Sequence, residues 1–489
     1  MLETITSIGR KYFYLILIGL LIADTVFSYY QHSQFPIDGD VVSIVTPSEG
    51  YKTILEEPFG FKILKDGNAY AASNRFFAYW TTYKYFRIFP LFLQNFMSPI
   101  DSLYTAQAIA KILIQIGLIA ILGLYISIPF GCNYKDFLLG SALITPLFHA
   151  VGCFEYMAII DNCISYALAY ALPSLLLLIF LFPYYKATIT GNSGLPLWIK
   201  PLWIILAIIL AFNGPLPSPI LLIICPLTLI YFVIKKWNDS PSFHFFKRFF
   251  KALNSINKEL LFSFSFVITL CLYSFYIGTY NLETIVNYIP LSERYERLLN
   301  GIVVILYSWN EGLTPLLLLI ILNVILLINI KTDTSRKILV MLGLIFLFSV
   351  IYIALLPFGG YRDYRPFIMR RDTLQPVLLC MFFSWGISSI CILKNITQIN
   401  SMAYKYILFI SCVVYTIADH APSPSYPNEC ERRMLHLISK SNEDCIALPE
   451  NCSVLAWGPF SDCNESTNAA IMLKYWNITS KEIHYYKPK

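Results

Sequence analysis

Apolar runs near twenty residues, separated by short polar breaks, recur along most of the chain. A helix needs ~20 apolar residues to cross the hydrocarbon core of a bilayer, so such runs predict membrane-spanning helices. They fall at residues 12–30, 105–128, 136–151, 163–182, 202–212 (a short one), 220–234, 260–277, 313–330, 338–357, 374–393 and 406–418, eleven in all. Residues 301–308 form a further short apolar piece, read as re-entrant and requiring protein or water to cover its backbone. An outer-membrane barrel is excluded, because its spans alternate apolar and polar positions over short segments. The first run follows Arg10 and Lys11 and has no small-residue cleavage site behind a short apolar core. It therefore reads as an anchor and not as a removed signal peptide.

Two stretches break the pattern. Residues 31–104 are polar and aromatic, and residues 419–489 change composition altogether. The expected organisation is a multi-spanning membrane domain over 1–418, with 31–104 as a long first extracytoplasmic loop, and a small tail domain over 419–489. In the tail, 431–439 and 468–476 read as helices, and 453–457 and 482–486 as strands, which predicts a small α/β cap. The tail holds Cys430, Cys445, Cys452 and Cys463. An even number in an exported segment predicts two disulfides, in one of three pairings. Asn451, Asn464 and Asn477 begin N-x-Ser/Thr sequons, which matter only where an oligosaccharyltransferase acts.

Composition agrees with the pattern. The chain is 57% hydrophobic and 13% charged, with mean hydropathy +0.60, where a soluble protein carries about 25% charged residues. The net charge of +6 fits basic inner loops and gives no reason to expect nucleic acid. With the N-terminus in the cytoplasm, the inner segments hold sixteen Lys and Arg. The short outer loops then hold Arg294 and Arg297, plus Arg362, Arg365, Arg370 and Arg371. This asymmetry sets the orientation and places the tail outside. Phosphate-loop and dinucleotide glycine motifs are missing from the sequence, so ATP-driven transport and dinucleotide chemistry have no support. No Cys/His spacing suggests zinc or haem.

The arginine stretch is the exception to the charge rule. Forked guanidinium donors match phosphate and carboxylate geometry, so Arg362, Arg365, Arg370 and Arg371 are candidate phosphate ligands. Tyr361 and Tyr364, interleaved with them, and Glu311 are candidate acceptor contacts. Just after the first span, Asp38-Gly39-Asp40 lets two carboxylates converge near the bilayer. Such a pair can act as a general base or hold a divalent cation through oxygens. Glu155 and Asp161, between the third and fourth spans, are a possible second acidic site. They lack a diagnostic Asp-x-Asp, so whether any metal is used stays open. His149 reads first as a helix-to-helix hydrogen-bonding residue.

An acidic motif directly after the first span, opening a long exported loop, resembles the GT-C superfamily of membrane glycosyltransferases. The stretch 357–366, Pro-Phe-Gly-Gly-Tyr-Arg-Asp-Tyr-Arg-Pro, is similar to bacterial, Bacteroides-like families of that kind. The aromatic run from Arg75 through Trp80, Tyr83, Tyr85, Phe86, Phe89 and Phe92 is similar to their interfacial first-loop helices. The likeness covers about 1–418 and not the tail. It implies a polyprenyl-phosphate sugar donor, a glycan, lipid or protein acceptor, and a place in a bacterial inner membrane. It further implies a catalytic acid at Asp40 or Asp38. An O-antigen-type polymerase or ligase would share the arginine loop without needing those acids. A flippase or other transporter would instead set charges along a path through the membrane.

The orientation is testable with a reporter enzyme that is active only in the periplasm. Fused after Lys489 it is expected to be active, and after Lys251 silent. The opposite pattern would put the arginine stretch on the cytoplasmic side.

Overall fold

The computed structural model describes all residues except 1, 48, 150–154, 192–198, 239–253, 255, 287, 308–311, 360, 362, 364, 396–397, 421–427 and 489. The described chain is mostly helical. Its main helices are α1 (Leu2–Ser33), α2 (Gly39–Val45), α3 (Phe76–Leu93), α4 (Pro99–Ser127), α5 (Tyr134–Ile144), α6 (Ile164–Thr190), α7 (Lys200–Ala211), α8 (Pro217–Asn238), α9 (Lys258–Gly278), α10 (Leu291–Tyr307), α11 (Leu313–Asn329), α12 (Asp333–Leu355), α13 (Arg371–Asn395) and α14 (Gln398–His420). The tail adds α15 (Glu429–Lys440), β1 (Cys445–Ala447), α16 (Thr467–Tyr475) and β2 (His484–Tyr486).

Eight of the described helices are long and apolar enough to cross a membrane: α1, α4, α6, α8, α9, α12, α13 and α14. α7 and α11 are apolar but shorter. The run at 136–151, expected to be a span, divides differently. It yields α5, of 11 residues, or about 16 Å at 1.5 Å per residue, half a hydrocarbon core. Asn133 starts it by accepting from the Asp136 amide. Pro146 follows at once, in a short 3-10 turn, because proline removes a helix donor. α13 is the central helix, 83% buried over its apolar window, against 11% for α1. Gly386 lets it close on α4: a Cβ there would lie 2.5 Å from Ile126 Cδ1, the small-residue device of membrane helix packing.

The first loop is not loose. α3 buries Ala78, Thr82, Phe86, Pro90 and Leu93 at helical spacing and exposes Trp80, Ile88 and Phe92 on other faces. Tyr70 bridges to Asn281 beyond α9, and Ser73 donates to the Ile277 carbonyl.

The tail shares its core with the loop. Cys430–Cys452 and Cys445–Cys463 are the disulfide pairs. β1 and β2 pair in parallel, Cys445 against His484. Trp476, fully buried, donates from its indole to the Phe86 carbonyl at 2.9 Å. Residues 453–457, expected as a strand, form none. Leu455 takes φ +51°, so extended pairing stops there, and its amide donates to Glu431 Oε1 at 2.9 Å. The other Glu431 oxygen accepts from the Ile37 amide at 3.0 Å and from the Tyr104 hydroxyl at 2.8 Å. Asn428 adds bonds to the carbonyls of Ser33 and Phe35. Tail, first loop and α4 therefore meet at one buried carboxylate, which burial pushes up to about 7 against those hydrogen bonds.

Residues 301–307, read as part of a re-entrant piece, belong to α10. This helix buries Arg294, Leu298, Gly301 and Ile305, a single stripe at helical spacing. Arg294 donates to the carbonyls of Ile289, Pro357 and Gly359 at 2.8, 3.1 and 3.1 Å. Arg297 donates to those of Asp363 and Arg365 at 3.0 and 2.9 Å. These two arginines clamp the backbone of the arginine stretch. Arg294→Met should leave three carbonyls without that donor and lower the protein's melting temperature, at a cost of ~3 kcal/mol. Arg294→Lys should recover only part. A melting curve unchanged by Arg294→Met would remove the clamp from the account.

Candidate functional site

Five residues leading into α6 gather the chemistry. Asp161 Oδ2 pairs with an Arg371 guanidinium nitrogen at 2.6 Å, and Asp161 Oδ1 accepts from the Cys163 amide at 2.8 Å. The Asn162 carbonyl accepts from Lys111 Nζ. The Ser165 amide donates to Asp38 Oδ2 at 3.1 Å. Helix starts leave amides unpaired inside the helix, and a carboxylate is a favoured partner for them. One helix start thus ties the acid after α1 to the arginine that opens α13. Just beyond, Ala167–Ala171 is a π-helical stretch. Pro173 lies next to it and cannot donate to the Ala169 carbonyl.

The two acids of Asp38-Gly39-Asp40 differ in environment. Asp38 is buried, and its Oδ1 has no hydrogen-bond partner among the described residues. Burial, with the neighbouring Asp40 charge, pushes it up to about 6, against the pull of Ser165 and Lys111. Asp40 is half-buried and accepts from Trp457 Nε1 at 2.8 Å. Gly39 is required between them, since a Cβ there would lie 2.9 Å from the Trp457 amide nitrogen.

Arg365 and Arg370 converge on Asp372 Oδ2, at 3.6 and 2.8 Å. Arg371 pairs with Asp161 beside them. Two guanidinium groups around one carboxylate oxygen is an arrangement that a phosphate oxygen also accepts. A small recess of about 10 Å³, the room of one water molecule, is lined by Asp161, Tyr166, Tyr170, Arg371, Asp372 and Gln375, among others. Tyr361 is buried, donates to the Arg365 carbonyl and lies under Arg297, 5.6 Å from its ring centre. Burial raises its phenol, with Arg297 opposing. Tyr361 thus holds the loop shape.

Other expected positions fall elsewhere. Arg362, Tyr364 and Glu311 lie outside the described residues, as does the Glu155 side chain, whose backbone opens a 3-10 turn. His149 is buried and packs edge-on against Tyr415 of α14, centroids 6.1 Å apart, a helix-packing position. Among the described residues no three His, Cys, Asp or Glu side chains group as metal ligands; Asp38 and Asp40 give two carboxylates.

Three contributors escaped the sequence reading. Lys111 lies inside α4, fully buried, 4.9 Å from the Phe35 ring centre. A lone lysine inside an apolar span was the signal for it. Trp457 comes from the tail, where nothing in the sequence points back to Asp40. Asp372 gathers two arginines of the stretch on one oxygen, a convergence that its sequence position does not reveal.

Comparison with protein-family models and with curated proteins finds no match to this chain. The chemistry of the site therefore carries the functional reading.

Asp38 gives a pH test. Its folded value, near 6, lies above the ordinary 3.8. The folded state therefore holds its proton more tightly, and stability is lost as pH rises through about 6. Asp38→Asn keeps an acceptor for Ser165 and removes that loss. It should melt at least ~2 °C above the unsubstituted protein at about pH 8, with the gap closing near pH 4. A gap independent of pH would mean that Asp38 is not protonated in this environment.

Proposed function

We propose that the chain is a GT-C-type membrane glycosyltransferase, moving a sugar from a polyprenyl-phosphate donor to a glycan, lipid or protein acceptor. The observation that supports this most is the junction at 161–165, where Asp38 of the acid pair and Arg371 of the arginine stretch are tied to the same helix start. Acceptor activation and phosphate binding need groups of those two kinds close together.

In this reading Asp40 is the base, because it is the more accessible of the pair. It takes the proton from an acceptor hydroxyl. The hydroxyl oxygen bonds to the anomeric carbon on the face opposite the phosphate, and the carbon–oxygen bond to phosphate breaks with inversion. The electron pair leaves on the lipid phosphate, and Arg365 and Arg370 stabilise that growing charge as preorganised donors. Phosphate would take the place that Asp372 holds between them, with Arg371 and Asp161 beside it. The recess has room for about one water molecule, so a phosphate would need Asp372 to give way. The finer placement belongs to the same proposal: a bacterial inner membrane, N-terminus inside, and an α/β tail outside.

One observation favours transport instead. Gln107, Lys111 and Gln115 are buried along α4, and Gln115 bonds to His32 and Ser28 of α1. This row reaches into the bilayer region, as a transport path would.

The two readings separate on Asp40. Asp40→Asn should lower sugar transfer from a synthetic polyprenyl-phosphate sugar in nanodiscs by ~100- to 10,000-fold, with donor binding largely kept. Arg370→Ala should raise KM and lower kcat together, and Arg370→Lys should rescue in part, since an ammonium lacks the fork. Full transfer activity in Asp38→Asn, Asp40→Asn and the double variant would end the glycosyltransferase mechanism.

A further inference from the structure

Trp457 occupies an unusual position. Its neighbours Val454 and Leu455 are buried at 2%, yet Trp457 is 57% exposed. The left-handed backbone of Leu455, a conformation costly for a branched residue, lies two residues before it. The indole N–H is already paired with Asp40, so what remains exposed is apolar ring. Tyr166 lies beside it, ring centres 5.9 Å apart and planes at 44°. Tyr170 follows, 5.8 Å from Tyr166 and edge-on. Both tyrosines line the recess that holds Arg371 and Asp372. A line of aromatic rings therefore runs from a carboxylate in the first loop to the arginine recess.

We propose that Trp457 and Tyr166 form a binding platform for a pyranose ring, with Asp40 accepting from its hydroxyls. One face of a pyranose carries mainly C–H bonds and is apolar, while its rim carries hydroxyl donors. An aromatic face with an acceptor carboxylate at its edge matches both halves. Such mixed apolar and polar linings are the general rule for small-ligand sites, and tryptophan gives large apolar area with one polar edge. The tail thereby supplies the contact that selects the sugar. Its role as the acceptor subsite rests on the glycosyltransferase reading, whereas sugar binding itself does not.

The test uses full-length protein in nanodiscs and no turnover. Saturation-transfer NMR is recorded with the methyl glycosides of glucose, galactose, mannose and N-acetylglucosamine at about millimolar concentration, where weak single-ring binding is read. At least one is expected to receive magnetisation. Its affinity should fall about tenfold in Trp457→Ala, as the loss of ~1.4 kcal/mol of ring contact would give. Trp457→Phe, which keeps a ring, should retain more binding. A second measurement does not depend on the alanine variant folding. With 5-fluorotryptophan incorporated, the Trp457 fluorine resonance, assigned by its loss in Trp457→Phe, should shift on adding the bound glycoside. No transfer to any glycoside, equal transfer in Trp457→Ala, or an unmoved resonance would each overturn the platform. Binding without sugar transfer would keep the platform and reject the enzyme reading instead.

Discussion

The ion pair between Arg371 and Asp161, at 2.6 Å and largely out of water, is the contact on which the arrangement turns. Removing one partner of a buried pair strands the other charge, at ~3–5 kcal/mol, so the two positions hold each other. Asp161 spends its second oxygen on the Cys163 amide, and so fixes the start of α6. That start presents the Ser165 amide to Asp38. The central helix, the first loop and the arginine stretch are thereby referenced to one short segment.

Around this segment, charges satisfy backbone as often as they satisfy each other. Arg294 and Arg297 hold carbonyls of the arginine stretch. Glu431 holds two amides and a hydroxyl from three parts of the chain. A loop whose own residues make few regular hydrogen bonds needs such donors and acceptors to keep one shape. The structure therefore divides its arginines into two groups. Those of α10 shape the stretch, and Arg365, Arg370 and Arg371 face acids at the recess.

Much of this was legible in the residues. Runs of apolar positions gave the long helices, because bilayer thickness sets their length almost regardless of tertiary context. The Asp-Gly-Asp turn and the arginine stretch were visible as charges at the edges of such runs. Other features depend on distant partners and left no local trace. Residues 453–457 have the composition of a strand, yet Leu455 turns left-handed because its amide is wanted by Glu431. Residues 136–151 are apolar enough to span, and Pro146 ends their helix after about half the depth. Residues 301–307 read as isolated only because the polar half of α10, with its two clamping arginines, was assigned to a loop. Trp457 could not be linked to Asp40 by any sequence pattern, since the partner is a turn far along the chain.

That separation has a consequence for biogenesis. Asp40 and Trp457 are 417 positions apart, and the ribosome delivers the first long before the second. The acid pair is made with the first helix and must wait, through the insertion of every later one, for the tail to cover it. A chain cut short before the tail would carry Asp38, Asp40 and the arginine recess without Trp457 beside them. Only a chain extended past Trp457 sets the indole beside Asp40.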